Sequence, residues 1–160
     1  MLGFARQLNP VQDDVNVNDV ILQTITFLQN EARYRGIEIN TNLQKDLPFL
    51  TSDPGQLQQV FLNIIDNAID AIGKDGNIHV ATMAVHEPDE IIITIKDSGP
   101  GIPKEKLDKI FDPFFTTKKV GEGTGLGLTI SFSIIQKLGG RIKVESEEGH
   151  GATFIISLPR

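Results

Sequence analysis

The sequence predicts an α+β domain in which a mostly antiparallel sheet is covered on one face by helices. Three observations carry this reading. Residues 54–72 hold an apolar stripe at helical spacing, residues 78–85 and 91–96 are β-rich runs joined by a short polar turn, and residues 141–146 and 152–158 repeat that arrangement around a glycine turn.

Taken in order, Val20, Ile21, Ile25, Phe27 and Leu28 recur at mostly helical spacing and predict a first helix from Val17 to about Arg35, with Asn16 or Asn18 as its N-cap. Residues 37–43 alternate with period two and end at Asp46 and Pro48, as a half-buried strand does. Asp53 and Pro54 supply a cap and a first-turn proline for a helix that runs through Leu57, Val60, Phe61, Ile64, Ile65, Ala68 and Ile72. Lys74-Asp75-Gly76-Asn77 is expected to stop it. A hairpin follows, from Ile78 to Val85 and from Ile91 to Lys96, turning near Glu87-Pro88-Asp89. Residues 97–103 form a Gly/Pro loop, 104–110 a short polar helix and 111–123 an irregular stretch. A third helix is expected to begin near Thr124 or Gly125, run through Leu138 and stop at Gly139-Gly140. Strands Arg141 to Ser146 and Ala152 to Leu158 close the chain.

The 160 residues suffice for one domain with a real core. With 39% hydrophobic and 22% charged residues, the composition is that of a soluble globular chain and excludes disordered, collagen-like and membrane-embedded classes. The absence of cysteine removes disulfides, thiolate metal sites and cysteine nucleophiles, and fits a cytoplasmic setting. No apolar run approaches a membrane span, so direct membrane insertion is not expected, although the parent protein is compatible with a membrane anchor. A formal charge of −6 argues against nucleic acid or anionic lipid as partners, so any anionic ligand must be held by a local arrangement.

Four local patterns carry chemistry. Asn63, Asn67 and Asp70 share one face of the second helix, which is either a solvated stripe or a set of hard oxygen ligands suited to Mg2+. Gly121, Gly123, Gly125 and Gly127 alternate before an apolar helix, and this favours a phosphate cradle of backbone N–H groups over a linker. Asp97-Ser98-Gly99-Pro100-Gly101-Ile102 follows a strand, so its carboxylate could accept a hydrogen bond from an exocyclic amine, or the segment could be only a turn. Residues 104–119 hold five Lys against three acids, a local positive excess around Phe111, Phe114 and Phe115. Those aromatics are either core or the hinge of a lid. Walker A, dinucleotide and protein-kinase fingerprints are absent.

In this order the motifs resemble the ATP-binding catalytic domain of sensor histidine kinases, within the superfamily shared with gyrase, Hsp90 and MutL. LNIIDNAIDA looks like the N box, DSGPGI the G1 box, FDPFF the F box, GEGTGLGL the G2 box and GHGATF the last glycine motif. The resemblance implies a mixed five-stranded sheet under three helices. It also implies ATP and Mg2+ as ligands, Asn67 holding the metal with Asn63 beside it, and Asp97 bonding the adenine amino group with Thr153 nearby. Gly99, Gly101 and Ile102 would line the base pocket, and Gly123, Thr124, Gly125, Leu126 and Gly127 would wrap the phosphates. Thr116, Thr117 and Lys118 would belong to the lid, with Asn63 and Lys118 closest to the chemistry. Residues 1–12, opening Leu2-Gly3-Phe4-Ala5-Arg6, look like the remnant of a dimerisation-hairpin helix and linker, and residues 13–160 like the catalytic domain itself.

The sequence departs from the family pattern in two places. The phosphoacceptor segment is missing, since His79 lies in a predicted strand, His150 in a turn and His86 in the hairpin turn. The implied acceptor is therefore a histidine on a dimerisation domain outside this chain, with a response regulator downstream, and the chain itself is expected to be monomeric and not to autophosphorylate. Asp70, counted among the implied ATP-binding residues, occupies a position where other branches often place a phosphate-contacting Lys. Gyrase-like relatives carry a Glu general base at the position of Asn63, and an amide cannot take a proton from water. Slow hydrolysis and transfer to histidine is thus the implied activity. The alternatives are a gyrase- or Hsp90-like ATPase, a serine kinase of the anti-sigma type, and a nucleotide-sensing module without catalysis; the F box argues against the first two.

Overall fold

The computed structural model describes residues 12–110 and 127–160. They form strands β1 (Asp13–Val15), β2 (Ile37–Asn42), β3 (Leu50–Ser52), β4 (Gly76–Val85), β5 (Glu90–Asp97), β6 (Arg141–Ser146) and β7 (Ala152–Pro159), with helices α1 (Val17–Tyr34), α2 (Pro54–Ile72) and α3 (Gly127–Lys137). The main sheet has the order β2-β4-β5-β7-β6, with β2 parallel to β4 and every other pair antiparallel. The mixed five-stranded sheet is the one that the sequence motifs imply.

α2 is the spine of the helical layer. Asp53 caps it by accepting hydrogen bonds from the N–H groups of Gly55 and Gln56, and Pro54 enters the first turn, where its missing donor costs nothing. Its stripe Leu57, Val60, Phe61, Ile64, Ile65, Ala68 and Ile69 is buried against β4 and β5 and between the flanking helices. The helix stops at Gly73, in the left-handed region at φ +76°, just before the predicted breaker. Gly76 and Asn77 belong to β4, because the N–H groups of Asp75 and Gly76 bond the carbonyls of Arg35 and Gly36 and start the parallel ladder with β2 there.

α1 is capped by Asn16, whose side chain accepts from the Asp19 N–H, and it buries Val17, Val20, Ile21, Thr24, Ile25, Leu28 and Ala32. Phe27 does not join that stripe. One residue before Leu28 lies about 100° around a helix, and the ring is 74% exposed. β2 lies at the sheet edge, and only Ile37 of its residues is fully buried. β1 and β3, which the sequence analysis does not predict, pair antiparallel in a separate two-stranded sheet and bury Val15 and Leu50.

Along β4, β5 and β7 the buried residues alternate: Ile78, Val80 and Thr82; Ile91, Ile93, Ile95 and Asp97; Ala152, Phe154, Ile156 and Leu158, with Ser157 of the other face also buried near the end of β7. α1 covers β2, α2 covers β4 and β5, and α3 covers β6. The short polar helix expected at 104–110 is a 3-10 helix over Lys104–Lys109. The irregular stretch, the start expected for the third helix and the N-terminal helix remnant lie outside the described residues, and the third helix ends at Lys137. Among the described residues no helix is long and apolar enough to cross a membrane.

Because Asp53 holds two first-turn N–H groups of the central helix, Asp53→Ala should lower stability by about 1–2 kcal/mol, and Asp53→Asn by much less. Urea denaturation of the two variants checks this; equal losses would contradict the capping role.

Candidate functional site

Asp97 ends β5 on the sheet face that packs under the helices, and is 5% exposed. One of its oxygens, Oδ1, accepts from the Gly99 N–H at 2.8 Å and the Ala152 N–H at 3.4 Å. Burial pushes the carboxyl above its ordinary value of 3.8, and those two backbone donors partly oppose the shift. Two close approaches make the arrangement possible. A Cβ at Gly99 would stand 2.9 Å from the Asp97 carboxylate, and one at Gly151, whose φ is +79°, would overlap the Asp97 carbonyl.

The loop after β5 is clasped on both sides. The Ser98 hydroxyl accepts from the Asn77 N–H at 2.9 Å, and the Ser98 N–H donates to the Asn77 carbonyl at 3.1 Å. Ser146 Oγ accepts from the Ile102 N–H at 2.7 Å and donates to the Gly151 carbonyl at 2.8 Å, while the Gly149 N–H donates to the Pro100 carbonyl at 2.6 Å. The predicted residues Asp97, Gly99, Gly101 and Ile102 are thus brought together against the β6–β7 turn.

The polar face of α2 splits into three environments. Asn63 turns to α3, its amide donating to the Gly127 carbonyl at 3.1 Å and to Ser131 Oγ at 3.2 Å and its Oδ1 accepting from Gln59 at 2.8 Å. Asn67, one turn on, is half-buried, and among the described residues no side chain is hydrogen-bonded to its amide. Its oxygen has the hard character that Mg2+ takes, and an ion that keeps most of its waters needs only one or two such ligands, so the residue fits that metal. Asp70 faces α1 and pairs with Arg35 at 3.5 Å, and Arg35 in turn pairs with Glu31 at 3.0 Å.

Thr153 does not reach Asp97. It pairs with Lys96 across the ladder, so the pleat turns it to the opposite face of the sheet, and the neighbour of the carboxylate is the backbone of Ala152 instead. Thr116, Thr117, Lys118, Gly123, Thr124, Gly125 and Leu126 lie outside the described residues. Sequence reasoning missed Gln59, Ser131, Ser146 and Ala152. The signal near Ala152 was the glycine pair Gly149 and Gly151, while a single serine in an apolar helix carries none.

A carboxyl held above its ordinary value stabilises the fold most in acid, and that contribution is lost as pH rises through the folded-state pKa. An Asn at position 97 keeps the acceptor for Gly99 and Ala152 without a buried charge. Asp97→Asn should therefore raise the melting midpoint at pH 7, and the gain should shrink toward pH 4. Thermal melts across that range test this, and a pH-independent difference would contradict it.

Comparison with known proteins places this geometry. Residues 52–160 match the family described as histidine kinase-, DNA gyrase B- and HSP90-like ATPase. The chain is 44% identical over 159 residues to the sensor histidine kinase ZraS of Salmonella typhimurium (strain LT2), covering 99% of this chain and 34% of that protein. The catalytic domain of histidine kinase ThkA superposes with a TM-score of 0.83 at 33% identity, over 93% of this chain and 95% of that one. ThkA in complex with response regulator protein TrrA gives 0.80 at 29% identity, over 94% of this chain and 42% of that one. Full-length ShkA in complex with AMPPNP gives 0.85 at 28% identity, over 94% and 31%. The chain spans about a third of the length of ZraS. With the family matched over most of the chain and the fold shared with a histidine kinase catalytic domain, the chain belongs to the histidine kinase-, DNA gyrase B- and HSP90-like ATPase family.

Proposed function

We propose that this chain is the ATP-binding catalytic domain of a two-component sensor histidine kinase, which transfers the γ-phosphate of ATP to a histidine on a dimerisation domain of the same protein. The observation that carries the reading is Asp97: a buried carboxylate at a strand end with one oxygen committed to two backbone donors. Among the described residues no hydrogen bond is made to the second oxygen, which can accept from an exocyclic amine, as adenine recognition requires. In this reading residues 13–160 form the domain, residues 1–12 end a dimerisation helix, and a response regulator receives the phosphate in a cytoplasmic setting. The complex of ThkA with a response regulator supports that class of partner.

Phosphoryl transfer asks the protein for positioning and charge neutralisation. Asp97 orients the base, with Gly99, Gly101 and Ile102 around it. Asn67 would hold Mg2+ through Oδ1, and the bound ion supplies charge neutralisation to the triphosphate. In this reading Gly123, Thr124, Gly125, Leu126 and Gly127 would receive the phosphates, with Thr116, Thr117 and Lys118 as further phosphate-side residues and Lys118 as a cation; all but Gly127 lie outside the described residues. An imidazole nitrogen attacks with its free lone pair, so the P–N bond forms as the bond from Pγ to the bridging oxygen breaks. ADP leaves with that electron pair, and the other ring nitrogen releases its proton to solvent. No base is needed, which agrees with an amide at position 63 already held by Gln59, Gly127 and Ser131. Asp70 is paired with Arg35, so its negative charge beside the phosphate site is offset.

Titration calorimetry with ADP and a non-hydrolysable ATP analogue, with and without Mg2+, should show binding that Asp97→Asn weakens at least about tenfold. When one carbonyl oxygen serves Gly99 and Ala152, the Asn amide group would face the adenine amine, donor against donor. Addition of a histidine-bearing hairpin should then give phosphohistidine, with only slow release of inorganic phosphate in its absence. Rapid turnover by the isolated chain would favour the ATPase reading, and tight binding without transfer a nucleotide-sensing module.

A further inference from the structure

The contact between α2 and α3 is polar at one point. Gly127 O accepts from both Asn63 Nδ2, at 3.1 Å, and Ser131 Oγ, at 3.0 Å, and Ser131 Oγ itself accepts from Asn63 Nδ2 at 3.2 Å. Gln59 holds the amide oxygen at 2.8 Å, so both the nitrogen and the oxygen of the Asn63 amide are engaged. Ser131 is 0% exposed, in a helix whose other fully buried side chain is Ile135. A hydroxyl sealed at that depth must keep its partners, because losing one leaves a buried polar atom unpaired.

The cluster adds to apolar packing between the helices. A methyl group added at Gly127 would meet Asn63 at 3.9 Å, ordinary van der Waals distance, and at this level hydrogen bonds also join the two helices. The position matters because Gly127 is the last glycine of the alternating motif, while Asn67 lies one turn beyond Asn63 on the same face of α2. One small cluster therefore links the glycine motif to the turn that carries the metal ligand.

We propose that Ser131 is a positioning residue of the nucleotide site. Through Asn63 and the Gly127 carbonyl it sets the spacing between Gly127 and Asn67, an inference that rests on the ATP-binding reading above. The role is confined to one end of the ligand. Asp97 is held by hydrogen bonds from its own loop and from β7, and the cluster's hydrogen bonds to α3 do not include it, so base recognition should survive the loss of the cluster while Mg-triphosphate recognition should not.

The test uses the unsubstituted chain, Ser131→Ala, Asn63→Ala and the double variant, with calorimetric titration of Mg-AMPPNP, metal-free ADP and adenosine, and a thermal melt of each protein. Ser131→Ala should weaken Mg-AMPPNP about fivefold to tenfold, leave adenosine within about twofold, and add almost nothing on top of Asn63→Ala, since the two act as one unit. Ser131→Cys, close in volume with a weak hydrogen-bonding group, should fall between Ser and Ala, and carries the comparison if the alanine variant does not fold. Uniform weakening of all three ligands, no change in any, or additive losses in the double variant would overturn the positioning role and leave the ATP-binding reading standing. If the folded unsubstituted chain bound none of the three ligands, both readings would fail together.

Discussion

The structure depends most on a buried carboxylate held by the backbone. Asp97 lies at the end of β5, removed from water, and the N–H groups of Gly99 and Ala152 converge on one of its oxygens. Each donor comes from a different segment, so the side chain ties the end of a central strand to its own following loop and to the start of β7. The geometry is closed to most residues. Any side chain at Gly99 would press on the carboxylate, and any at Gly151 on the carbonyl of Asp97. Two glycines far apart in sequence are thus consequences of one interaction, and the burial that makes the carboxyl costly is also what sharpens its selectivity for a donor.

α2 connects this centre to the rest of the molecule. Its apolar stripe anchors it over β4 and β5, and its opposite face is divided among Asn63 toward α3, Asn67, which has no side-chain partner among the described residues, and Asp70 toward Arg35. The backbone of Ala71 also lies close against Gly99, so the far end of the helix meets the Asp97 loop. A single rigid element therefore carries contacts to both ends of the candidate site. Rigidity of this kind comes from packing, with Phe61, Ile64, Ile65 and Ile69 fully buried, and the cap at Asp53 only fixes where the helix starts.

Much of this was legible in the sequence, for identifiable reasons. Residues 54–72 combine a cap, a first-turn proline and an unbroken stripe, and three independent signals agreed there. The hairpin from 78 to 96 alternates cleanly because one face is buried. β1 and β3 escaped because three residues hold no period, and Gly76-Asn77 was read as a turn because parallel pairing with β2 depends on a partner that local sequence does not reveal. Phe27 misled as an apolar residue one step out of phase. In the site, Asp97 and Gly99 were visible as a motif. Thr153 drew attention by its side chain, whereas the group that reaches Asp97 is the N–H of Ala152, which any residue but proline supplies. Ser131 carries no sequence signal, since its importance arises only when α3 is laid against α2.

The central claim is that Asp97 reads a hydrogen-bond donor on the base, and comparison of ADP with its hypoxanthine counterpart, IDP, tests it most directly. The two differ at the 6-position, where an amino donor is replaced by a carbonyl acceptor, and share the same ribose and phosphates. Calorimetric titration of both into the unsubstituted chain should give IDP at least about tenfold weaker than ADP, because its carbonyl oxygen would face the carboxylate. Equal affinities would contradict the account and move base recognition away from Asp97.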